Sequence, residues 1–257
     1  MPKINVYLPD DLAAAVREAG LSVSPICQKA LADAVRAVVA VREEVEVIRD
    51  PEYDPGRQPQ ISARIAARMT DHLRHAVERA RDLAGARRLV GTEHLLAGVI
   101  DEPDNLGTQV LRSLDVDAAR LRLAALRAVG RRGGKPRPAA RRDGGQRNEL
   151  LGGLSPAARQ AFAGALEGAL GLGHDFLGCE HLVLGLAKEA GGGAGDLLRE
   201  HGVEPEAIRR AIPPALAAAA LGYSNARQTA APAVADRLAG IDRRLEELDR
   251  RLVAGGL

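Results

Sequence analysis

Hydrophobic positions recur every three or four residues through most of the chain, which is the spacing of an amphipathic α-helix. One stripe runs through Ile61, Ile65, Met69, Leu73, Ala76, Ala80 and Leu83, and another through Ala158, Phe162, Ala165, Leu166 and Ala169. Each stripe predicts a long helix, and three shorter helices are expected after it. Turn residues such as Gly85, Pro103 and Asn105 separate these helices. The pattern therefore predicts a mainly α-helical fold.

The first fifty residues follow a different pattern. Lys3 to Leu8 alternates strictly between polar and apolar residues, as a β-strand with one buried face does. Two helical stripes follow, and Ser24-Pro25 is typical of the start of the second helix. A single strand needs a partner. This strand-helix-helix segment is therefore expected to pair with a second copy of the chain.

An internal repeat is visible in the middle of the chain. Gly91-Thr92-Glu93-His94-Leu95 recurs 87 positions later as Gly178-Cys179-Glu180-His181-Leu182. Upstream of this motif the two helical stripes align with an offset of 89, which assigns two extra residues to the loop of the first copy. Such a match indicates a duplicated supersecondary unit. Each copy has only ~60–65 residues, so the two are expected to pack together as one pseudo-symmetric domain.

The segments between these units are rich in Pro, Gly and Arg, which is typical of linkers. Beyond Pro232, apolar residues step by four and three from Val234 to Leu252, as in the seam of a coiled coil. The predicted organisation is a strand-helix-helix module at 1–49, a linker at 50–60, repeat 1 at 61–129, a basic flexible linker at 130–150, repeat 2 at 151–214 and a coiled-coil helix at 232–254.

Composition narrows the class of protein. Aromatic residues make up 2% of the chain, so the core must be built from Ala, Leu and Val, which favours closely packed helices. No apolar run approaches the ~20 residues of a membrane span, and no signal peptide is expected. Cys27 and Cys179 lie far apart, which suits a reducing compartment. We therefore expect a cytoplasmic protein without a membrane partner.

The repeated motif resembles the amino-terminal repeat domain of Clp unfoldases, especially the C type. The resemblance lies in Gly-Thr-Glu-His-Leu after a helix, a following Leu-x-Gly-Leu and a later Leu-x-x-x-Gly-Val turn. The second copy is the closer match, with Leu172-Gly173-His174-Asp175-Phe176-Leu177 in front of its motif. The resemblance covers roughly residues 60–214. It implies duplicated four-helix repeats that dock substrates and adaptors.

The resemblance also implies a ligand site in each copy. In C-type Clp domains the glutamate of the motif contacts the guanidinium group of a phosphoarginine mark, which suits a carboxylate because it accepts paired hydrogen bonds. The residues carried over are Thr92, Glu93, Cys179 and Glu180. Cys179 lacks the hydroxyl donor of Thr92, so the second site is expected to be weaker. The alternative is that both glutamates only favour a helix N-terminus electrostatically.

The amino-terminal segment resembles a ribbon-helix-helix module, in which two chains pair their strands. In that family the outward strand residues, here Lys3, Asn5 and Tyr7, enter the major groove of double-stranded DNA. Backbone amides near Ser24 are then expected to hold a phosphate. Residues 1–50 carry six basic and eight acidic residues, whereas a DNA-binding module usually has a basic face. Dimerisation without DNA binding therefore stays open.

Other kinds of site find little support. The sequence has no phosphate-binding loop, because Gly134-Lys135 is followed by Pro136. His174, Cys179 and His181 match no common zinc spacing. A nucleophilic pair of Cys179 and His181 is not expected either, because residues two apart on a helix point in different directions. We therefore predict no catalytic residues, no metal site and no cofactor.

The resulting hypothesis is a non-catalytic, homo-oligomeric, most simply dimeric, binding protein. It would capture ligands of Clp unfoldases, which are phosphoarginine-marked proteins, adaptors or cyclic peptide antibiotics, and act as a decoy or an adaptor. Its amino-terminal module would bind DNA and regulate transcription, including that of its own gene. The alternatives are a plain dimeric transcriptional regulator and a scaffold of the protease complex that binds no DNA.

Overall fold

The computed structural model describes residue 5 and residues 7–85, 88–132 and 150–221. These residues form helices joined by short loops, and no strand is found among them. The helices are α1 (Asp10–Glu18), α2 (Val23–Arg49), α3 (Pro59–Arg68), α4 (Asp71–Ala84), α5 (Thr92–Asp101), α6 (Leu106–Ser113), α7 (Ala118–Arg132), α8 (Pro156–Gly171), α9 (Cys179–Lys188), α10 (Gly193–Glu200) and α11 (residues 205–221). A single 3-10 turn, Leu151–Gly153, precedes α8. The predicted mainly α-helical fold is confirmed.

Two helices, α5 and α9, form the centre of the fold. Nearly every residue of both is buried, and they carry the two copies of the repeated motif. Helix α4 packs on α5 in the first repeat, and α8 packs on α9 in the second. The repeats also exchange contacts, because α6 of the first packs on α9 and α10 of the second packs on α5 and α7. The two repeats therefore share one hydrophobic core.

Two glycines allow the paired helices to approach closely. A methyl group at Gly98 would overlap the carbonyl oxygen of Ala76 in α4, and one at Gly185 would overlap that of Ala161 in α8. Because a glycine has no side chain, the two backbones can touch at each crossing. A core that is poor in aromatic residues needs such short distances between helices to remain densely packed.

These contacts also correct the alignment of the repeats. Ala76 and Ala161 make equivalent contacts and lie 85 positions apart, as do the helix caps Thr70 and Ser155. The offset of 89 predicted for this region was therefore wrong by one helical turn. The two extra residues belong to the second repeat, whose first helix is two residues longer. A shift of four residues keeps the apolar stripe in place, so the sequence pattern could not detect it.

The loops before the helices join the two repeats. Met69 pairs with Leu177, and Val90 pairs with Leu154, each as an isolated parallel bridge. The predicted single stripe from Ile61 to Leu83 is interrupted here. Met69 is extended, and the Thr70 hydroxyl accepts a hydrogen bond from the Leu73 amide to start α4. The expected long helix is therefore two helices, α3 and α4.

The amino-terminal arm consists of α1 and most of α2, and its apolar side chains are largely exposed. Helix α1 buries no residue, and α2 buries only Glu44, Val45 and Ile48 near its end. Glu44 is anchored by Arg64 and Arg68 of α3, with nitrogen–oxygen distances of 2.8 and 2.5 Å. The second half of α2 lies beside α8, where Ala34 and Val41 border the same groove as Leu166, so the arm is attached to the repeats through this half.

The predicted amino-terminal strand is not found in the part that is described. Asn5 and Tyr7 have no strand geometry, whereas Lys3, Ile4 and Val6 lie outside the described residues. Helix α2 starts at Val23, so Ser24 lies inside its first turn rather than at the predicted cap. A lone strand has no hydrogen-bonding partner within one chain, which is the physical reason to expect none here.

Other sequence predictions meet the described residues only in part. The predicted linker 50–60 contains Tyr53, which is buried against the core. Most of the basic linker 130–150 and the whole coiled-coil segment 232–254 lie outside the described residues. The domain boundaries therefore stay predictions.

Replacement of Gly185 by alanine is expected to lower the free energy of unfolding by about 2–3 kcal/mol, because the new methyl group forces α8 and α9 apart. Urea unfolding of the full chain measures the change. Gly171→Ala is the matched control, since a methyl group there meets no atom within 4 Å and Gly171 lies at the exposed end of α8. Equal stability of the two variants would contradict the backbone contact.

Candidate functional site

The first copy of the motif lies at the start of α5, close to the start of α10. The Thr92 hydroxyl donates to Glu93 Oε2 at 3.2 Å and accepts from the Ala194 amide at 3.3 Å. A side chain on Gly193 would overlap the carboxylate of Glu93. Thr92 and Glu93 are therefore held against the N-terminus of a helix that belongs to the other repeat.

A cleft of about 500 Å³ opens beside these residues. Its walls include Leu89, Gly91, Thr92, Glu93, His94, Val129, Ser155, Pro156, Ala157, Gln160, Glu189, Gly191 and Gly192. Gly91, Ser155 and Gly192 are the N-caps of α5, α8 and α10. Three helix N-termini therefore meet at one cleft, and each carries a partial positive charge and amides that favour an anion.

Glu189 supplies a second carboxylate to this cleft, and the sequence analysis did not select it. Its Oε1 accepts a hydrogen bond from the Gly191 amide at 2.7 Å. Its Oε2 is buried and has no hydrogen-bond partner among the described residues. The available signal was the run Gly191-Gly192-Gly193, which leaves room for Glu189 beside Thr92. The cleft thus joins carboxylates, which suit a cation, with helix N-termini, which suit an anion.

His94 also faces the cleft and is 5% exposed. Its Nδ1 accepts a hydrogen bond from the Gly91 amide at 3.0 Å, so the proton of the neutral ring resides on Nε2. Nε2 is buried and has no partner among the described residues. An unpaired buried donor costs about 1–3 kcal/mol. Burial lowers the pKa of His94, helped by Arg88 and opposed by Glu93, so the ring is neutral near pH 7.

The second copy of the motif has a closed arrangement. Cys179 and Glu180 are buried at the start of α9, and burial raises the pKa of both groups, that of Glu180 to about 7. His181 Nδ1 accepts from the Gly178 amide, and its Nε2 lies 2.9 Å from Nδ1 of His174. Burial and His174 lower the pKa of His181 to about 3. The ring nitrogens of this histidine are therefore both paired.

The pseudo-symmetry explains why one site is open and the other filled. Ala157 and Gln160 line the open cleft, and the equivalent positions in the first repeat are His72 and His75. His72 Nδ1 lies 3.0 Å and His75 Nδ1 3.4 Å from Oε1 of Glu102, the counterpart of Glu189. Gly192 corresponds to Asn105, whose side chain caps α6. Larger side chains thus occupy in the second site the space that is empty in the first.

Glu102 is held by charge as well as by packing. It is 4% exposed, and Arg79 Nε lies 3.0 Å from its Oε2. Burial alone would raise the pKa of this carboxyl group, but the hydrogen bonds from His72, Arg79 and His75 outweigh burial and lower it. Glu102 is therefore a satisfied buried carboxylate, whereas Glu189 keeps an unpaired oxygen toward the cleft.

Comparison with known proteins follows the same repeats. The sequence profile of the Clp repeat (R) N-terminal domain matches residues 68–141 and 153–245, which is more than half of the chain. The chain belongs to the Clp repeat N-terminal domain family. The expected family resemblance is thereby confirmed, whereas the ribbon-helix-helix module stays a prediction.

One curated relative is the chloroplastic ATP-dependent Clp protease ATP-binding subunit ClpA homologue of Brassica napus. Another is the chloroplastic chaperone protein ClpC1 of Oryza sativa subsp. japonica. Each is 33% identical over 131 residues, which is 49% of this chain but 14% and 13% of the relatives. This chain therefore spans only a small part of their length. Among solved structures, the N-terminal domain of ClpD from Arabidopsis thaliana is 21% identical, with a TM-score of 0.40, and covers 58% of this chain and 95% of that one.

The remaining predicted sites of this Clp repeat protein lie away from the cleft or outside the description. Lys3 is not described, Tyr7 is 92% exposed beyond α1, and Ser24 lies in α2. Among the described residues no group of three or more histidine, cysteine, aspartate or glutamate side chains is arranged to hold a metal ion. Within the same residues, no helix is long and apolar enough to span a membrane.

The raised pKa of Glu180 makes the stability of the Clp repeats depend on pH. The folded state favours the protonated carboxyl group, so this stability is complete below the unfolded pKa of about 4.3 and is lost as the pH rises through about 7. Between pH 5 and 8 the free energy of unfolding of the parent should fall by about 2–3 kcal/mol relative to Glu180→Gln.

Urea unfolding at several pH values measures this difference. Glu78→Gln serves as the control, because Glu78 is exposed on α4 and its removal should leave the pH profile of the parent unchanged. Parallel profiles for the parent and Glu180→Gln would show that Glu180 is ionised in the folded protein throughout this range.

Proposed function

We propose that this chain is a non-catalytic, cytoplasmic binding protein that captures ligands of Clp unfoldases through the cleft beside Glu93. The chemical group recognised is a phosphorylated arginine side chain. One observation carries the proposal, which is the meeting of two carboxylates with three helix N-termini in a single cleft. A guanidinium group suits the carboxylates of Glu93 and Glu189, and a phosphoryl group suits the backbone amides.

The filled second site supports the binding of one ligand per chain. Glu180 is enclosed, and burial raises its pKa to about 7, so near neutral pH it is a weaker acceptor for a guanidinium group than a fully ionised carboxylate. His72 and His75 occupy the space that Ala157 and Gln160 leave open in the first site. The sequence-based proposal of two ligand sites is therefore narrowed to one.

Capture of a degradation mark gives the protein the role of a decoy or an adaptor. A decoy would hold marked proteins away from an unfoldase, and an adaptor would deliver them to it. Protein adaptors and cyclic peptides are alternative occupants, because a cleft of this volume also accepts a peptide side chain. The charged groups of the cleft favour a phosphorylated guanidinium group over these apolar or mixed ligands.

Calorimetric titration of the full chain with free phosphoarginine tests the proposal. The parent should bind one molecule per chain. Glu93→Gln and Glu189→Gln should each weaken binding by about tenfold or more, because each removes a charged acceptor of the guanidinium group. Glu180→Gln is the matched control and should bind like the parent. Failure of the parent to bind would overturn the ligand assignment and favour a plain dimeric regulator.

We also propose that the chain forms a homodimer through α1 and α2 of the exposed arm. Their apolar side chains are open to solvent, with Leu31, Val35 and Val39 exposed by 51, 61 and 45% on one side of α2. A nine-residue helix such as α1 that buries nothing is marginal alone. A second copy of the arm would cover both helices and supply the missing strand partner.

DNA binding is the further step of this dimer proposal. Paired strands would place Lys3, Asn5 and Tyr7 of both copies on one surface, where lysine and asparagine side chains can read bases in the major groove. The protein would then regulate transcription, including that of its own gene, in response to the captured ligand. A dimer that touches no DNA would instead be a scaffold of the protease complex.

Analytical sedimentation measures the oligomeric state, and an electrophoretic mobility shift on the DNA upstream of the gene measures DNA binding. Together they separate a DNA-binding regulator from a scaffold. Val35→Asp should weaken the dimer about tenfold or more, because it places a charge in the apolar contact. The triple alanine variant of Lys3, Asn5 and Tyr7 should stay dimeric and lose DNA binding. Lys29→Asp, on the other side of α2, should leave the dimer intact. A parent that is monomeric would contradict the dimer, and DNA binding by the triple variant would contradict the assigned surface.

A further inference from the structure

We propose that His94 distinguishes phosphorylated arginine from plain arginine, because its Nε2–H donates a hydrogen bond to a phosphoryl oxygen of the ligand in the cleft. This inference rests on the proposed function and assigns a specificity-determining residue to the same site. The evidence is an unpaired donor that is buried, that lines the cleft and whose direction is set by a hydrogen bond on the opposite side of the ring.

The backbone determines which ring nitrogen carries the proton. The Gly91 amide can only donate, so Nδ1 of His94 must accept and the hydrogen resides on Nε2. Gly91 is also the N-cap of α5, which keeps the imidazole at the helix start, where the cleft opens. The lowered pKa of His94, caused mainly by burial, keeps this neutral tautomer in place at neutral pH.

The second repeat provides an internal comparison. His181 makes the same Nδ1 hydrogen bond with its own N-cap, Gly178, at 3.0 Å. Its Nε2 is paired with Nδ1 of His174 at 2.9 Å, and the ring also packs against His174 and Phe176. The first repeat has Leu89 at the position of Phe176, and Leu89 lines the cleft. The fold therefore satisfies this donor in the filled site, whereas in the open one His94 Nε2 has no partner among the described residues.

The chemistry of the donor selects the part of the ligand that it contacts. A guanidinium group carries only N–H donors, so it cannot pair with His94 Nε2–H. A phosphoryl group has acceptor oxygens alone and can pair with it. The carboxylates of Glu93 and Glu189 take the guanidinium end, so His94 would read the phosphoryl end. Plain arginine in the same cleft would leave the buried donor unpaired.

The test compares free phosphoarginine, plain arginine and inorganic phosphate by calorimetry on the full chain. His94→Asn keeps an acceptor for the Gly91 amide but removes the donor at the position of Nε2. This variant should bind phosphoarginine about tenfold more weakly or worse and should bind arginine as the parent does, since a hydrogen bond to a charged group contributes at least this much free energy. His94→Gln carries an amide donor at the reach of Nε2 and should recover part of the preference. His174→Asn, which changes the ring that pairs with His181 in the other repeat, should bind as the parent does.

Nuclear magnetic resonance of the parent gives a readout that does not depend on any variant. The Nε2–H signal of His94 should shift on addition of phosphoarginine and should remain in place with arginine. An unmoved signal, or equal weakening of both ligands by His94→Asn, would assign His94 a structural role only. If the parent binds phosphoarginine and His94→Asn keeps the same preference for phosphoarginine over arginine, this inference alone is overturned. If the parent binds no phosphoarginine, the proposed function is overturned as well.

Discussion

The close backbone contact at two glycines is the constraint on which the rest of this structure depends. Gly98 and Gly185 let α5 and α9 touch α4 and α8 without intervening side chains. Because the core contains few aromatic residues, larger helix separations would leave voids that Ala, Leu and Val cannot fill. The crossings also set the position of each helix start, so the motif residues at Thr92 and Cys179 depend on them.

Duplication of the fold produced two sites with the same backbone and different interiors. In the first, Gly192 and Ala157 leave a cleft whose walls include Glu93, Glu189 and His94. In the second, side chains of the protein itself fill the equivalent space. His72 and His75 lie within hydrogen-bonding distance of Glu102 there, and His174 pairs with His181. A buried polar group without a partner is unfavourable, so each of these pairs stabilises the closed site.

The arm and the cleft are joined through α8. Helix α2 is anchored near its end by Glu44, which pairs with Arg64 and Arg68 of α3, and by Arg49, which pairs with Glu167 of α8 at 2.7 Å. Helix α8 also starts at the cleft, where Ser155 is its cap. A ligand that shifts the start of α8 would therefore act on the same helix that supports the arm. This continuity connects the cleft to the exposed face of α2 through one helix.

Much of the fold follows from local patterns in the sequence. Apolar spacing predicted the helices, and the repeated motif indicated the family. These features depend on neighbours along the chain, so a single sequence contains them. The break at Met69 and Thr70 was missed because an apolar stripe continues across it. The register of the paired helices was one turn wrong because the pattern repeats with each turn.

The site depended on the tertiary structure to a greater degree. The sequence by itself indicated that Thr92 and Glu93 begin a helix, and a guanidinium ligand for Glu93 was what the family resemblance implied. Only the fold brought them to Glu189, Ser155 and the start of α10, which are 60 to 100 positions away along the chain. It also decided that the second motif is closed, since His72 and His75 come from the opposite repeat. Distances between residues far apart in sequence are set by packing, and no local pattern records them.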